Sequence, residues 1–221
     1  MSAMDKAQSF LVVDDHPMIR LAMADALRTR FPELRVESCS NAEDGIALLE
    51  AALKKSKKIR WWVLIDLGLP GLGGLAAIRR VLSLGPEISI ITVSGSDDEL
   101  QVGACLGAGS SAFISKGAPM EDMLSLVSRA LEGELQTGEW LSSSGAADSA
   151  SIKRITLTDR QLQVLSMICQ GNSNREIADS LGITEITAKS HVGAIFRELQ
   201  VVSRTQAVLV AQRLGLFTNK A

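Results

Sequence analysis

The order of patterns along the chain predicts an α/β domain, built as a doubly wound five-stranded parallel sheet, followed by a small all-α domain of four helices. Three observations carry this. Through the first 135 or so residues, short β-branched or apolar runs alternate with segments of helical apolar spacing. A small and polar stretch, Ser142-Ser143-Ser144-Gly145-Ala146-Ala147, then interrupts the pattern. After Ile155 the strand signal stops and helix-start signals take over.

The expected strands are Phe10–Val13, Leu34–Cys39, Trp61–Ile65, Ile88–Val93 and Ala112–Ile114. The expected helices are Pro17–Phe31, Ala42–Leu53, Leu75–Leu82, Asp98–Leu106 and Pro119–Leu131. Pro17 sits in a helix-start position, and Ile19, Met23, Ala26, Leu27 and Arg30 follow at helical spacing. Trp61 and Trp62 point to opposite faces of their strand, so one of them is expected to be only partly buried. Lys54-Lys55-Ser56-Lys57-Lys58 reads as the solvated end of a helix. In the last third, three capping boxes appear: Thr158 with Gln161, Ser173 with Glu176, and Ser203 with Gln206. Each opens a helical apolar stripe, and a tight turn at Gly182-Ile183-Thr184 joins the second and third helices with helix-turn-helix spacing. The expected boundaries are 1–133 for the α/β domain, 134–154 for a linker and 155–221 for the helical domain.

Composition narrows the function classes. Three widely separated cysteines, Cys39, Cys105 and Cys169, suit free thiols in a reducing compartment and offer no metal-ligand spacing. The first residues lack a signal-peptide core, and no apolar stretch is long enough to span a bilayer, so a cytoplasmic location with no membrane partner is expected. The net charge of −2 hides a split. From Lys153 onward there are nine basic and five acidic residues, against fourteen and twenty before it. A basic rear half suggests a polyanionic partner.

The front half also carries chemistry. In an open α/β sheet, ligands bind beyond the carboxyl ends of the strands. Asp14 and Asp15 end the first strand and Asp66 ends the third, adjacent to it in the usual strand order. Three carboxylates in one crevice repel one another unless a hard divalent cation joins them, and Mg²⁺ suits such a partial cage. With the charge offset, one carboxylate can attack phosphorus. Ser94 ends the fourth strand and can donate a hydroxyl hydrogen bond to a phosphoryl oxygen. Lys116 follows the fifth and can supply a point charge.

These residues resemble the receiver domain of bacterial two-component response regulators. The matching segments are Val12-Val13-Asp14-Asp15-His16-Pro17, Leu64-Ile65-Asp66-Leu67-Gly68-Leu69-Pro70 with Gly74, then Ser94, and Phe113-Ile114-Ser115-Lys116. The resemblance implies that Asp66 is the phosphoacceptor. It implies that Asp15, Asp66 and the Gly68 carbonyl hold Mg²⁺, with Asp14 acting mostly through water. It also implies that Ser94 and Phe113 form a switch pair that repacks the last strands and helices. Gly68 departs from the family, which usually carries a larger residue there, and leaves that side of the pocket open. The loop Leu69–Gly74 is unusually glycine-rich; it lacks the Gly-Lys-Ser/Thr ending of a phosphate cradle and reads as a turn. His16 reads as the flank of the first helix, and neither histidine shows metal-ligand neighbours in the sequence.

The rear half, from Leu157-Thr158-Asp159-Arg160-Gln161 through Gly171–Ala178 to Thr184–Val192 and Ser203–Ala207, resembles a LuxR-type helix-turn-helix. Together the halves look like the NarL/FixJ family. The recognition helix is expected from about Glu185 to Leu199. On its polar side Lys189, Ser190, Gly193 and Arg197 would enter the major groove of double-stranded DNA. Thr187, Asn174 and Arg204 suit phosphate contacts. Glu198 stands where the family commonly has lysine, and Gly193 costs about 1 kcal/mol relative to alanine in a helix interior. The implied partners are a sensor histidine kinase as phosphodonor, DNA, a second copy of the chain when active, and RNA polymerase as a further candidate. Two rivals stand beside this reading. One is an aspartyl-phosphate phosphatase of the haloacid dehalogenase type, whose Asp-x-Asp spacing the chain lacks at its first strand. The other is a dimeric binding module that works without phosphorylation.

Overall fold

The computed structural model describes residues 7–56, 58–71, 74–147 and 152–214. Leu72 and Gly73 of the glycine-rich loop, Lys57 of the lysine run and residues 148–151 of the expected linker lie outside the described residues. Strands β1 (Ala7–Val13), β2 (Arg35–Cys39), β3 (Ile59–Asp66), β4 (Ile88–Ser94) and β5 (Ala112–Ser115) alternate with helices α1 (Pro17–Arg30), α2 (Ala42–Lys55), α3 (Gly74–Leu82), α4 (Glu99–Gly107) and α5 (Met120–Glu132). Each expected element is present, with only its ends displaced.

The sheet order is β2-β1-β3-β4-β5-β6-β7. Parallel pairing sets Val13 beside Ile65, so the carboxyl ends of β1 and β3 adjoin. The five-strand expectation is corrected here. Within the stretch read as linker, β6 (Glu139–Ser142) pairs parallel with β5 and β7 (Gly145–Ala147) pairs antiparallel with β6. Composition concealed them because an edge hairpin packs little apolar surface. Leu141 is its buried anchor, and Ser142 Oγ closes the turn by donating to the Gly145 carbonyl at 2.8 Å.

Period-2 alternation divides the core. Leu11, Val13, Trp61, Val63 and Ile65 face the layer containing α2, α3 and α4, while Phe10, Val12, Trp62 and Leu64 face α1 and α5. Both tryptophans are fully buried, against the expectation for one of them. Covering both faces of a parallel sheet with helices leaves no strand side chain at that depth in water. Trp62 Nε1 donates to Gln8 Oε1 at 2.9 Å, and the Arg60 guanidinium lies 4.9 Å from the Trp62 ring centre.

The rear domain comprises α6 (Asp159–Cys169), α7 (Asn174–Leu181), α8 (Glu185–Glu198) and α9 (Arg204–Arg213). The capping boxes at Thr158 and Ser173 are reciprocal. At Ser203 only half the box forms, because Gln206 Oε1 accepts from the Val202 N–H instead. Gly182 ends α7 in the left-handed region at φ 63°, which permits the sharp entry into α8.

The two domains share one apolar cluster that runs from Leu75, Ile78, Val102 and Leu106 through Ile155 and Leu157 to Leu165, Ile195 and Ala211. The segment entering the rear domain lies along α4, where the Ile155 N–H donates to the Gly103 carbonyl at 3.0 Å. Arg79 of α3 reaches across to Asp159 at 2.8 Å and to the Leu157 carbonyl.

Candidate functional site

The carboxyl edge of the sheet collects the candidate residues of the front half. Asp14 directly follows β1 and is fully buried; Asp66 is the last residue of β3 and is 4 % exposed. Lys116 directly follows β5, held by its own N–H donating to the Ser94 carbonyl at 2.7 Å. That anchor aims Lys116 Nζ inward, 2.9 Å from both Asp14 Oδ2 and Asp66 Oδ2. The Gly68 N–H donates to Asp66 Oδ1 at 3.1 Å.

Burial pushes the Asp66 carboxyl above its ordinary value, and the hydrogen bonds from Lys116 and Gly68 only partly oppose this. Burial works against the Lys116 ammonium, but its bonds to Asp14 and Asp66 outweigh that and raise its pKa. Asp14 Oδ2, Asp15 Oδ1 and Asp66 Oδ2 are buried, and their close polar neighbours are the charged Lys116 and the His16 ring. One donor atom from each of Asp14, Asp15, His16 and Asp66 falls within a 4.8 Å cluster. Carboxylate oxygens at this spacing fit a hard divalent cation.

His16 is the N-cap residue of α1, the flank that the sequence predicts, but the expected lack of ligand neighbours is corrected. It makes no capping bond to α1, and its Nδ1 lies 3.2 Å from Asp14 Oδ1 and 2.9 Å from Asp15 Oδ1. Its place straight after Asp14-Asp15 and before a proline-started helix was the available signal: the chain turns there, and the imidazole folds back over the carboxylates.

A cavity of about 320 Å³ opens onto Asp66, Gly68, Ser94, Lys116, Gln212 and Arg213. The last two come from the rear domain. Ser94 is buried, and its hydroxyl donates to Gln101 Oε1 at 2.8 Å. Phe113 is fully enclosed in the core on the α4 side of the sheet. A Cβ placed on Gly68 would lie 3.5 Å from Asp66 Oδ2, so that position has room for a larger side chain beside the acceptor.

On the rear domain, α8 coincides with the expected recognition helix. Thr187, Lys189, Ser190 and Arg197 are exposed, while Gly193 and Asn174 are half-buried. Lys189 pairs with Glu185 one turn earlier at 3.1 Å. Arg204 is turned inward, where its guanidinium donates to the carbonyls of Ile168 and Asn172 and closes the end of α6. Glu198, unusual for its position, also has a task inside the fold: its Oε1 accepts the Thr156 N–H at 2.7 Å and fastens the segment entering α6.

Comparisons with known proteins agree with this geometry. The family model of the response regulator receiver domain matches residues 10–128, and that of the bacterial regulatory proteins of the luxR family matches residues 155–211. A glycerol metabolism activator of Pseudomonas putida is 30 % identical over 212 residues, covering 91 % of this chain and 93 % of its own. The nitrate/nitrite response regulator NarL of Escherichia coli K12 is 29 % identical over 215 residues, covering 95 % and 97 %. Among solved structures, RcsB from Salmonella enterica serovar Typhimurium, bound to promoter P1flhDC in the presence of phosphomimetic BeF3-, shares the fold with a TM-score of 0.57 at 20 % identity, covering 95 % of this chain and 99 % of RcsB. A sheet edge that gathers three aspartates and a lysine, followed by a helix-turn-helix with an exposed third helix, thus matches both family models in order, and the chain belongs to the NarL/FixJ family of response regulators, transcription regulators with a receiver and a LuxR-type DNA-binding domain.

Proposed function

We propose that Asp66 accepts a phosphoryl group from the phosphohistidine of a sensor kinase and that this event controls DNA binding by the rear domain. The observation that supports it most is the convergence of Lys116 Nζ on Asp14 and Asp66 at 2.9 Å beneath an open cavity. An Asp66 oxygen forms a bond to phosphorus as the bond to the histidine nitrogen breaks, and Lys116 offsets charge on the transferring group. Receiver domains bind Mg²⁺ at such an acidic pocket, and here Asp15, Asp66 and the Gly68 carbonyl would hold it, with Asp14 through water. The bound ion would neutralise charge on the phosphoryl oxygens. The Ser94 hydroxyl would donate to one of those oxygens, and Phe113 would repack as Ser94 moves.

On α8, Lys189, Ser190, Gly193 and Arg197 would meet base edges, with Thr187 and Asn174 on phosphates; Arg204 would reach a phosphate only with donors left over from its backbone bonds. The active protein would pair as a homodimer on two half-sites in the cytoplasm and act on transcription through RNA polymerase. Incubation with a small acyl phosphate donor and Mg²⁺ should add one acid-labile phosphoryl group, detected by intact mass, and should raise affinity for DNA selected from a genomic pool. Asp66→Asn should abolish both. A rise in DNA affinity that survives Asp66→Asn would refute the reading. The open pocket at Gly68 favours the rival, a receiver that works unphosphorylated, for which wild-type protein would show no added mass.

A further inference from the structure

We propose that Gln101 is the positioning residue that transmits phosphorylation of Asp66 to the rear domain, by holding Ser94 with one end of its amide and the C-terminus of α9 with the other. This rests on the reading of Asp66 as phosphoacceptor.

Gln101 is 7 % exposed, in the first turn of α4, and every residue from it through Leu106 is buried. A polar side chain there needs partners at both ends. Its Nε2 donates to the Arg213 carbonyl at 2.8 Å, and its Oε1 accepts the Ser94 hydroxyl at 2.8 Å. Chemistry fixes this orientation. A backbone carbonyl can only accept, so the NH₂ must face Arg213, the oxygen must face Ser94, and Ser94 must be the donor. Arg213 is the last residue of α9, so its carbonyl has no partner within the helix and Gln101 satisfies it.

A second tie reinforces the joint. The Arg213 guanidinium pairs with Asp98, which is also the N-cap of α4 and accepts from the Leu100 and Gln101 N–H groups. The negative end of α9 thereby meets the positive end of α4. Both Gln212 and Arg213 line the cavity above Asp66.

The Ser94 hydroxyl has a single proton. Donated to a phosphoryl oxygen, it is no longer available to Gln101, and an anionic oxygen is the stronger acceptor. Gln101 Oε1 would then be buried without a donor. Since the oxygen and nitrogen of an amide turn together, the rotation that finds Oε1 a new partner withdraws Nε2 from Arg213. Phosphorylation and the docked α9 thus compete for one proton through one side chain.

The full-length chain carrying a fluorophore pair across the two domains would report the distance between them, with and without a small acyl phosphate donor and Mg²⁺, while intact mass reports phosphoryl uptake at Asp66. In the wild type, phosphorylation should lengthen the distance. Gln101→Leu should be long already and should change less than a quarter as much on phosphorylation, with uptake within about threefold of wild type. Gln101→Glu, which keeps an acceptor for Ser94 but loses the donor to Arg213, should also start long. If either variant starts short and opens as far as wild type, Gln101 is not the link. A loss of fold would lower the melting temperature and phosphoryl uptake together; the glutamate variant guards against that, and its short resting distance would overturn the proposal. Absence of uptake in wild type would refute the Asp66 reading itself, a result distinct from uptake without any dependence on Gln101.

Discussion

Replacing Gly103 by alanine should loosen the docked arrangement while strengthening the helix that carries it. Gly103 is in the interior of α4, where alanine is favoured over glycine by about 1 kcal/mol. A Cβ at this position, however, would come closer than 3.0 Å to the Lys153 carbonyl and press on Ile152 Cγ2 at 3.2 Å. Gly107, one turn later, meets the Ile155 backbone in the same way, so the groove is formed by two glycines and filled by main chain, which has no rotamer to yield. Lifting segment 153–155 forfeits the bond from Ile155 N–H to the Gly103 carbonyl, about 1 kcal/mol, and part of the burial of Ile155, roughly 1.5–3 kcal/mol if lost entirely. Docking should weaken by about 2–3 kcal/mol, a shift of more than tenfold toward separated domains. Small-angle scattering should show a larger radius of gyration, and limited proteolysis should accelerate near residues 153–157. Should Gly103→Ala scatter like the wild type and merely melt lower, α4 has shifted to make room and the groove does not govern docking.

Four further outcomes follow from the geometry. Lys116→Met leaves Asp14 and Asp66 facing each other without their cation and should cost about 3 kcal/mol in chelator, with much of the loss recovered in millimolar Mg²⁺; urea titrations with and without the ion measure this, and no recovery would argue against a cation at the cluster. Gly68→Ala fills space 3.5 Å from Asp66 Oδ2 and should lengthen the acyl phosphate lifetime by less than about tenfold, under about 1.4 kcal/mol of barrier, as followed by mass against time. Ser173→Ala removes a reciprocal capping box and should lower stability by about 1 kcal/mol in chemical denaturation. Burial pushes the Cys105 thiol up to about 12, against 9.0 when unperturbed, so it should resist alkylation in the folded chain at neutral pH. Only the unfolded chain releases that proton between those values, so the Cys105 contribution to stability, complete below pH 9, should decline as pH rises toward 12.

Most of the receiver fold was legible because its signals are local. Alternation of β1 and β3 splits cleanly between the two core layers, and the helix starts at Pro17, Thr158 and Ser173 depend on residues within a few positions of each other. The acidic site was legible for a related reason, since strand ends in a parallel sheet converge wherever they lie in sequence. What was missed depends on distant partners. The hairpin of β6 and β7 exists because β5 offers an open edge, not because its own residues favour strands. The bonds from Arg204 to the Ile168 carbonyl and from the Thr156 N–H to Glu198 likewise join residues more than thirty positions apart, which no local pattern shows. The flank position of His16 was legible, but the contact of its ring with Asp14 and Asp15 depends on the turn after β1.

The arrangement of the domains also bears on what phosphorylation has to accomplish. Of the residues expected to read DNA, Lys189 is 62 % exposed in this state, and Ser190 and Arg197 are exposed as well. The receiver thus leaves uncovered the exposed residues of α8 that are expected to meet DNA. It grips α9 through Gln101 and Asp98, and the entry segment through the glycine groove of α4. What is constrained is the orientation of the rear domain relative to the receiver, which matters little for one protomer on one half-site and decisively for two protomers that must match a fixed spacing. Release should accordingly change affinity for paired half-sites far more than for a single one. A titration of phosphorylated and unphosphorylated protein on one-site and two-site duplexes tests this: equal gains on both would mean that α8 itself is altered, and that the grip on α9 is not what restrains the protein.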